Sequence, residues 1–574
     1  MILQKLYEYY NRLGTLPPPG SELKEIEYVI VIDRNGRFKR FESKRIDKKK
    51  CASFIVPKGV GRTYAAKANS LWDNGKYVLG LAEDHKECNS LFVEKINEIA
   101  NHNPDDASIQ AVKRFYDIPD GERLLQFESD PLFDAVQGSI GSNFSFQIEG
   151  DDCLVAEKLS LAAGNDESAD DSIDGICLIT GKYGPLARLT SATPIPGNSP
   201  GAALVGMQIK SGYDSYGKSQ AYNAPISKDA EFCYTSALKA LLGKDSHNKL
   251  KVGDRIFLFW GSGEDSVVND VENSFWDLSY LDFEKVDDPN ESIDKIQELY
   301  KSIWSGKIKT TLDDRFYILG LAPNVGRIAV VSWDDMSLKD FSEKILQHFS
   351  DMEIGDNRKP DHRKPYTGIF TMLSNITLSG KSTDAPSCLV EATLKAVVSD
   401  EQYPFALYTS ALERIRNSLH EQSVSIGRAA ILKAYINRSQ KYNTQSKPLE
   451  VMLDKTNKNP GYVCGRLTAV LEHIQSCANA GDSIRSKFMA AASSTPILVF
   501  PSMIILSNHH LEKLSTGSRI YYEQLKQEIF SLLSPLGFPA RLDLGDQGRF
   551  FIGYYHQRLD LFTKKEDKQN NTKS

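Results

Sequence analysis

Tyr28-Val-Ile-Val-Ile-Asp33 is an unbroken run of strand-forming residues, and it is followed by the turn pair Asn35-Gly36. A short apolar run closed by a turn predicts a buried β-strand. The first 340 residues contain further runs of this kind, so they predict a mixture of strands and helices. These runs are 256–260 (IFLFW), 316–321 and 328–333 (IAVVSW), the last two joined through 322–326 as a β-hairpin. The segment 193–201 (TPIPGNSPG) is expected to be a loop.

The spacing of apolar residues becomes helical from about residue 386. Stripes at this spacing predict core-facing helices and a C-terminal helical bundle. We therefore predict an α+β fold: a large mixed α/β N-terminal body followed by a C-terminal helical bundle. The stripes cover 407–419, 463–474 and 521–533. The predicted domains are 1–340 for the mixed body, 341–385 for a connecting region and 386–574 for the helical domain.

The composition is that of a folded globular protein, with 41% hydrophobic and 25% charged residues in 574. The longest apolar stretch, Pro496 to Leu506, is about half of the roughly 20 residues that a membrane helix needs. The start, MILQKLYEYYNRLG, has a helical apolar face and no signal-peptide pattern. We expect a cytoplasmic protein without membrane contact. The eight cysteines include no CxxC pair, which argues against a disulfide framework or a zinc ribbon.

Charge is distributed unevenly along the chain. From Pro404 onward there are 22 Lys/Arg against 14 Asp/Glu, a net +8, which leaves 47 against 61, a net −14, for residues 1–403. Within this acidic part, residues 37–67 carry eleven Lys/Arg against two acidic residues, a net +9. We call this segment the basic island. A local positive field attracts polyanions such as nucleic acid, although a solvated basic loop would have the same composition.

Two short motifs match catalytic patterns but fail on physical grounds. Gly212 to Ser219 fits the phosphate-binding pattern G-x-x-x-x-G-K-[ST], which needs a helix directly after it. Pro225 disfavours that helix, which could begin only from about Ser227. Gly197 to Gly201 fits G-x-S-x-G, but Pro200 lacks the N–H that an oxyanion hole requires. No catalytic residue, metal site or cofactor is predicted, and a P-loop-type nucleotide-binding enzyme using Gly212–Ser219 remains the alternative function.

Taken in order, many short stretches of the chain match one protein family. The chain resembles the large subunit of the type I-C CRISPR surveillance complex, Cascade. The most specific match is Gly61-Arg-Thr63 followed by Ala68-Asn-Ser-Leu-Trp-Asp-Asn-Gly-Lys-Tyr-Val-Leu-Gly80. Other matches are 16–20, 28–33, 56–60, 177–181, 215–219, 222–225, 316–324, 465–467, 509–511 and 553–558.

The resemblance implies a non-catalytic subunit of an RNA-guided complex. Such a subunit recognises the protospacer-adjacent motif (PAM) in double-stranded DNA and promotes target unwinding and R-loop formation, while base pairing reads the remaining sequence. The implied partners are the crRNA, PAM-bearing DNA, the backbone subunits, the crRNA-processing subunit at the 5′ handle, the small subunit and the helicase-nuclease.

The chemistry of the basic island suits this role. Amide side chains can bond to base edges, and Lys or Arg can hold phosphates. Asn69 has the alternative of being a turn or cap residue, and Trp72, Leu71 and Tyr77 are expected to be core anchors. The predicted DNA-binding residues are Lys58, Arg62, Thr63, Lys67, Asn69 and Asn74. The predicted nonspecific phosphate contacts are Lys39, Arg40, Lys44, Arg45, Lys48, Lys49 and Lys50.

The family resemblance also implies that the C-terminal part can be made separately as the small subunit, from an internal start. Met452 is the candidate start, just before a predicted helix, and an ordinary loop residue is the alternative. The segment 452–574 has 15 Lys/Arg and 11 Asp/Glu, a net +4. That charge would suit a small-subunit-like bundle that follows single-stranded DNA through its backbone.

Overall fold

The protein is described by a computed structural model that separates into two compact units. The first unit is Met1–Thr193 with Ala203–Ala240, and the second is Pro194–Ala202 with Leu241–Ser574. The domain boundaries predicted at 340 and 385 fall within the second unit and stay a prediction. The described residues are 2–47, 50–60, 62, 66–162, 173–209, 212, 214, 216–263, 266–280, 289–311, 313–358, 366–417, 424–441, 447–478 and 483–563.

The helices and strands alternate up to about residue 340, after which the described elements are helices. Up to Leu242 they are α1 (Ile2–Leu13), β1 (Ser21–Glu25), β2 (Tyr28–Ile32), β3 (Phe38–Ser43), β4 (Ser53–Pro57), β5 (Trp72–Asn74), α2 (Gly75–Val78), α3 (Lys86–His102), α4 (Ala107–Asp117), α5 (Asp120–Glu128), α6 (Phe133–Gly138), β6 (Asn143–Ile148), α7 (Val155–Ala162), β7 (Asp174–Ile176), β8 (Tyr183–Pro185), β9 (Thr193–Ile195), β10 (Asn198–Ala202) and α8 (Lys228–Leu242). Beyond it they are β11 (Lys249–Val252), β12 (Arg255–Gly261), α9 (Ser266–Tyr280), α10 (Pro289–Trp304), β13 (Arg315–Asn324), β14 (Arg327–Ser337), α11 (Leu338–Met352), α12 (Ile369–Ile376), α13 (Ser387–Ser399), α14 (Phe405–Asn417), α15 (Ile426–Lys441), α16 (Pro460–Ala478), α17 (Ser483–Ala492), α18 (Pro496–Leu511), α19 (Thr516–Phe530) and α20 (Leu544–Phe562).

The first unit is organised around β2, the strand predicted from the YVIVID run. All five of its residues are buried, and it lies inside a four-stranded sheet of order β3-β2-β6-β5. Strand β6 is parallel to β2, whereas β3 is antiparallel to it. The turn into β3 closes through the Gly36 amide, which donates to the carbonyl of Asp33 at 2.9 Å. Gly36 has a φ of +83° and lies against the backbone of Phe115, so this turn requires glycine.

The second unit contains the other predicted strands. Strands β11 to β14 form an antiparallel sheet in chain order, and β13 and β14 form the predicted hairpin. The segment 193–201 was expected to be a loop, and this expectation is wrong because β9 and β10 form a two-stranded hairpin there. The prolines are tolerated because a two-stranded ribbon leaves edges whose N–H groups need no partner. Gly197, at φ +89°, supplies the turn.

Helices α11 to α20 share one apolar core with the inner face of the β11–β14 sheet, which confirms the α+β fold class. Helices α16 and α20 pack closely, because glycines allow their two backbones to touch. A Cβ added to Gly465 would collide with the carbonyl of Phe550, and one added to Gly553 would collide with that of Tyr462. Among the helices that the structure describes, none combines the length and apolar character needed to cross a lipid bilayer.

Two buried histidines in the helical part are held in their neutral form. The Nδ1 of His348 lies 2.7 Å from the hydroxyl of Tyr403, and its Nε2 lies 2.8 Å from the carbonyl oxygen of Thr367. The Nδ1 of His556 lies 3.0 Å from the hydroxyl of Tyr462. Burial lowers the pKa of His348 to about 4 and that of His556 to about 3, from an ordinary value of 6.5.

We expect the helical part to lose stability on mild acidification. Between pH 6.5 and 4 the unfolded chain protonates at these two positions and the folded chain does not, so their contribution is complete above pH 6.5 and falls below it. The loss at pH 5 is about 2 kcal/mol per histidine. Urea unfolding at pH 7.5 and 5.0 measures it. His348→Gln should reduce the difference between the two pH values, whereas the exposed His102→Gln should leave it unchanged.

Candidate nucleic-acid interface

The first half of the basic island is largely exposed on and after the edge strand β3, but several of its cations are paired with carboxylates. The Nζ of Lys39 lies 3.3 Å from Asp33. Glu42 receives both Arg40, at 2.5 Å, and Lys44, at 2.8 Å. The hydrogen bond from Lys44, with a further one from Arg40, lowers the pKa of the Glu42 carboxyl against the effect of burial. These three cations therefore present less positive charge to solvent than the sequence count suggests.

Some of the neutralising carboxylates come from outside the island. Arg45 pairs with Glu27 at 2.5 Å, and Arg40 also reaches Glu149 at 3.6 Å. Because neither carboxylate belongs to residues 37–67, the net +9 counted along the sequence is partly offset in space. Exposed ion pairs of this kind are weak because water and salt screen them, so a phosphate can displace them.

The loop between β4 and β5 is held by one buried carboxylate. Asp73 is fully buried, and its oxygens accept hydrogen bonds from the backbone N–H of Asn69 at 2.9 Å and of Asn74 at 2.8 Å. The guanidinium of Arg62 pairs with the same carboxylate and lies 4.1 Å from the centroid of the Tyr77 ring. Arg62 also donates through Nε to the carbonyl of Lys67 at 2.7 Å. Asp73 thus connects both ends of the loop.

Both predicted asparagines have local partners in this arrangement. The Oδ1 of Asn69, whose residue is 5% exposed, accepts the backbone N–H of Val60 at 2.9 Å. The Oδ1 of Asn74 accepts the backbone N–H of Lys76 at 3.1 Å and caps the short helix α2. The turn or cap alternative weighed for Asn69 therefore describes its contacts in this conformation. Direct base readout by either asparagine stays a prediction.

The aromatic and aliphatic residues of this segment are core anchors, as expected. Leu71, Trp72 and Tyr77 are all buried, and the indole N–H of Trp72 donates to the carbonyl of Pro57 at 2.8 Å. Leu71 adopts a φ of +62°, a left-handed conformation that costs a branched residue about 1–3 kcal/mol. Its carbonyl accepts the hydroxyl of Ser145 at 3.0 Å, which helps to hold the strained turn in place.

Of the remaining predicted residues, some are described by the structure and others are not. Lys58 and Lys67 are exposed in the loop between β4 and β5. We call this loop the stapled loop, because Asp73 holds Arg62 and Asn69 within it. Lys50 lies before β4 and is partly buried. Thr63, Lys48 and Lys49 lie outside the described residues. Sequence reasoning missed Asp73 and the strained Leu71, although a single carboxylate between two asparagines in a basic segment was an available signal for Asp73.

The phosphate-binding pattern at 212–219 does not open an α-helix. After Ser219 the chain makes a single 3₁₀ turn, Gln220–Asn223, and α8 begins only at Lys228, close to the predicted limit at Ser227. The amides and dipole of α8 therefore do not face Lys218 in the way a nucleotide phosphate would require. Nothing in this geometry favours the alternative of a P-loop enzyme. In the described part of the chain, no three His, Cys, Asp or Glu side chains are grouped to hold a metal ion.

A family model described as CRISPR-associated protein (Cas_Csd1) matches residues 6–562. The chain belongs to this family. The match covers nearly the whole sequence and confirms the predicted resemblance to the large subunit of type I-C Cascade. Membership of the Cas_Csd1 family places the protein in a CRISPR complex with crRNA and other Cas subunits. No curated protein matches the chain significantly.

Proposed function

We propose that this Cas_Csd1 subunit recognises the PAM in double-stranded DNA, promotes target unwinding and R-loop formation and helps to recruit the helicase-nuclease, while breaking no bond itself. The observation that carries the proposal is the buried Asp73 carboxylate, which holds Arg62 and the backbone N–H of Asn69 in a segment that exposes Lys58 and Lys67. Family membership supplies the RNA-guided context.

A stapled loop is a suitable element for reading a short duplex motif. Phosphate contacts position a protein on DNA, and sequence is read by groups held at a defined place beside the groove. The buried Asp73 holds Asn69 and Asn74 through their backbone N–H groups and Arg62 through its guanidinium, so these three residues lose little conformational freedom on binding. Lys58 and Lys67 can then hold phosphates, and Thr63, Asn69 and Asn74 are the residues proposed for reading the motif.

Lys58→Ala is expected to weaken all duplexes alike. A lysine that contacts a phosphate contributes to affinity without sequence information, so the slope of log K against log salt should become less steep by about 1. Fluorescence polarisation of PAM and scrambled duplexes between low and physiological salt measures both effects. Lys76→Ala, an exposed lysine outside the proposed contacts, is the matched control. A change in PAM preference without a change in slope would contradict the phosphate role.

Asn69→Ala tests the reading element itself. Loss of its contact to Val60 should relax the loop, so discrimination between correct and scrambled PAM should fall by about tenfold, the cost of one misread base pair. A panel of PAM variants measures the discrimination. Asn103→Ala, at the end of α3, removes an asparagine side chain far along the chain from the loop and serves as control. Unchanged discrimination would count against the loop as the reader.

The proposed partners follow from the same role: crRNA, backbone subunits, the crRNA-processing subunit at the 5′ handle, the small subunit and the helicase-nuclease. Affinity purification of the tagged chain from cells expressing the whole locus should recover RNA together with repeated backbone subunits. Recovery of the chain with DNA but without crRNA would instead indicate a separate DNA-binding scaffold.

We also propose that 452–574 acts as a small-subunit-like bundle. Met452 is 42% exposed and precedes α16, so a chain starting there would contain all of helices α16 to α20. Mass spectrometry of the product of the native gene should then show a fragment of about 123 residues. Absence of any C-terminal fragment would contradict this proposal.

A further inference from the structure

The first unit contains a cleft of about 310 Å³ formed by separate parts of the chain. Its walls are residues 19–20 before β1, Lys58 after β4, the loop 187–191 and the first turn of α8. Lys58 is a proposed phosphate contact, but the other cleft residues lie outside the basic island. In the cleft, Lys58 therefore lies near residues that are distant from it along the chain.

Hydrogen bonds hold the walls of the cleft together. The backbone N–H of Lys58 donates to the carbonyl of Gly20 at 2.8 Å, which extends the β1–β4 pairing. The backbone N–H of Ser191 donates to the carboxylate of Glu231 at 2.6 Å, which ties the loop to α8. The hydroxyl of Thr235 also donates to Glu231, at 3.1 Å. Each wall therefore keeps its form through its own hydrogen bonds, and the lining residues are in place without a ligand.

The charges around the cleft favour an anion at its mouth. Lys58, Arg188 and Lys228 line it from three different segments, against the carboxylates of Asp229 and Glu231. Glu231 is 8% exposed and accepts the hydrogen bonds that hold the wall.

A fourth cation close to the cleft shows the effect of this clustering. Partial burial, and then the ammonium of Lys58, lower the pKa of Lys239 despite the opposing effect of nearby carboxylates. A phosphate placed among these cations would relieve their mutual repulsion.

One of the residues that line the cleft, Phe232, offers an aromatic surface. Phe232 is half-buried, and the edge-to-face contact of its ring with Tyr10, at 6.2 Å between centroids, holds it in place. Nucleobases stack on such rings with about 1–3 kcal/mol per base. The volume is near the lower limit of small-molecule pockets, about 300 Å³. A cleft of this volume suits one ligand of nucleotide size. A duplex is too large for it, because the major groove of a duplex alone is about 12 Å wide.

We infer that this cleft binds a single unpaired nucleotide of the target DNA, with its phosphate at Lys58, Arg188 and Lys228 and its base on Phe232. The inference rests on the proposed function and deepens it. A subunit that opens a duplex beside the motif it reads needs somewhere to hold a nucleotide that has left the helix, and the cleft shares Lys58 with the proposed reading segment.

Photo-cross-linking of the assembled complex tests the position of the base. The probe is PAM-bearing DNA with one 5-iododeoxyuridine in an unpaired position next to the duplex. We expect the cross-linked peptide to contain Phe232 and Phe232→Leu to lose the cross-link. A cross-link that maps elsewhere, or that survives in Phe232→Leu, overturns the inference. A cross-link to Phe232 from 5-iodouridine in the crRNA handle, and not from the DNA, overturns the assignment to DNA.

Equilibrium binding of the full chain to a 20-nucleotide oligo-dT tests the phosphate site. Arg188→Gln and Lys228→Gln should each weaken binding about five- to tenfold and reduce the salt slope by about 0.7. The matched control is Lys182→Gln, an exposed lysine outside the cleft lining. If Arg188→Gln and Lys228→Gln bind oligo-dT like the control while Lys58→Ala still weakens duplex capture, the cleft is overturned and the proposed function is not. If Lys58→Ala weakens neither duplex capture nor oligo-dT binding, the proposed function is overturned instead.

Discussion

Asp73→Ala is expected to disorder the β4–β5 loop and to weaken PAM-duplex binding by at least roughly tenfold. The change removes the acceptor of two backbone N–H groups and the partner of Arg62. Buried donors left without a partner cost about 1–3 kcal/mol each, and Arg62 is exposed enough to regain water. We therefore expect about 3 kcal/mol of local destabilisation, confined to the segment 58–74.

Hydrogen exchange measured on peptides that cover 56–76 should locate this effect, and duplex binding should be measured on the same samples. Asp73→Asn keeps the shape and one acceptor oxygen but loses the charge, so an intermediate result is expected. Asp105→Ala, an exposed aspartate before α4, controls for the loss of one negative charge. If the backbone amides of 56–76 exchange as slowly in Asp73→Ala as in the unmodified chain, Asp73 does not hold the loop.

Gly465→Ala should destabilise the helical part by about 2 kcal/mol or more. Alanine is the better helix former by about 1 kcal/mol, but its methyl group would collide with the Phe550 carbonyl on α20. That carbonyl belongs to a helix backbone, so relief requires α16 and α20 to move apart along their contact. Separation of this pair would open the core of the proposed small-subunit-like segment 452–574.

The matched control is Gly517→Ala in α19. A Cβ at Gly517 meets no atom within 4 Å, so this variant should be neutral or more stable by up to about 1 kcal/mol. Thermal unfolding of the two variants beside the unmodified chain measures the contrast. Equal stability of Gly465→Ala and Gly517→Ala would mean that the close helix contact is not required.

Local sequence patterns were sufficient for several of the regular elements of the fold. Apolar runs such as 28–33 became buried strands, and the helical stripe at 463–474 became α16. Such patterns are predictive because backbone geometry sets which residues share a face. Apolar residues on one face recur at every second residue in a strand and about every 3.6 residues in a helix. The hairpin at 193–202 escaped prediction because proline penalises strands in general, and only pairing shows that an edge is available.

The candidate site was predictable only in part. The sequence located the segment and its net charge, and it anticipated Leu71, Trp72 and Tyr77 as core. It did not show that cations of β3 pair with carboxylates from elsewhere in the chain, such as Glu149. It also did not show that the asparagines proposed as readers already hold the backbone.

By itself, the sequence determined the family, the α+β fold class and the position of a positively charged segment, because motif order, apolar period and charge are properties of neighbouring residues. Only the tertiary structure decided which of those charges are compensated, that Asp73 staples the loop and that Lys58 shares a cleft with Arg188 and Phe232. These are contacts between residues distant along the chain. Coulombic and hydrogen-bond energies depend on the distance between two groups in space. A local sequence pattern does not contain that distance for residues that are far apart along the chain.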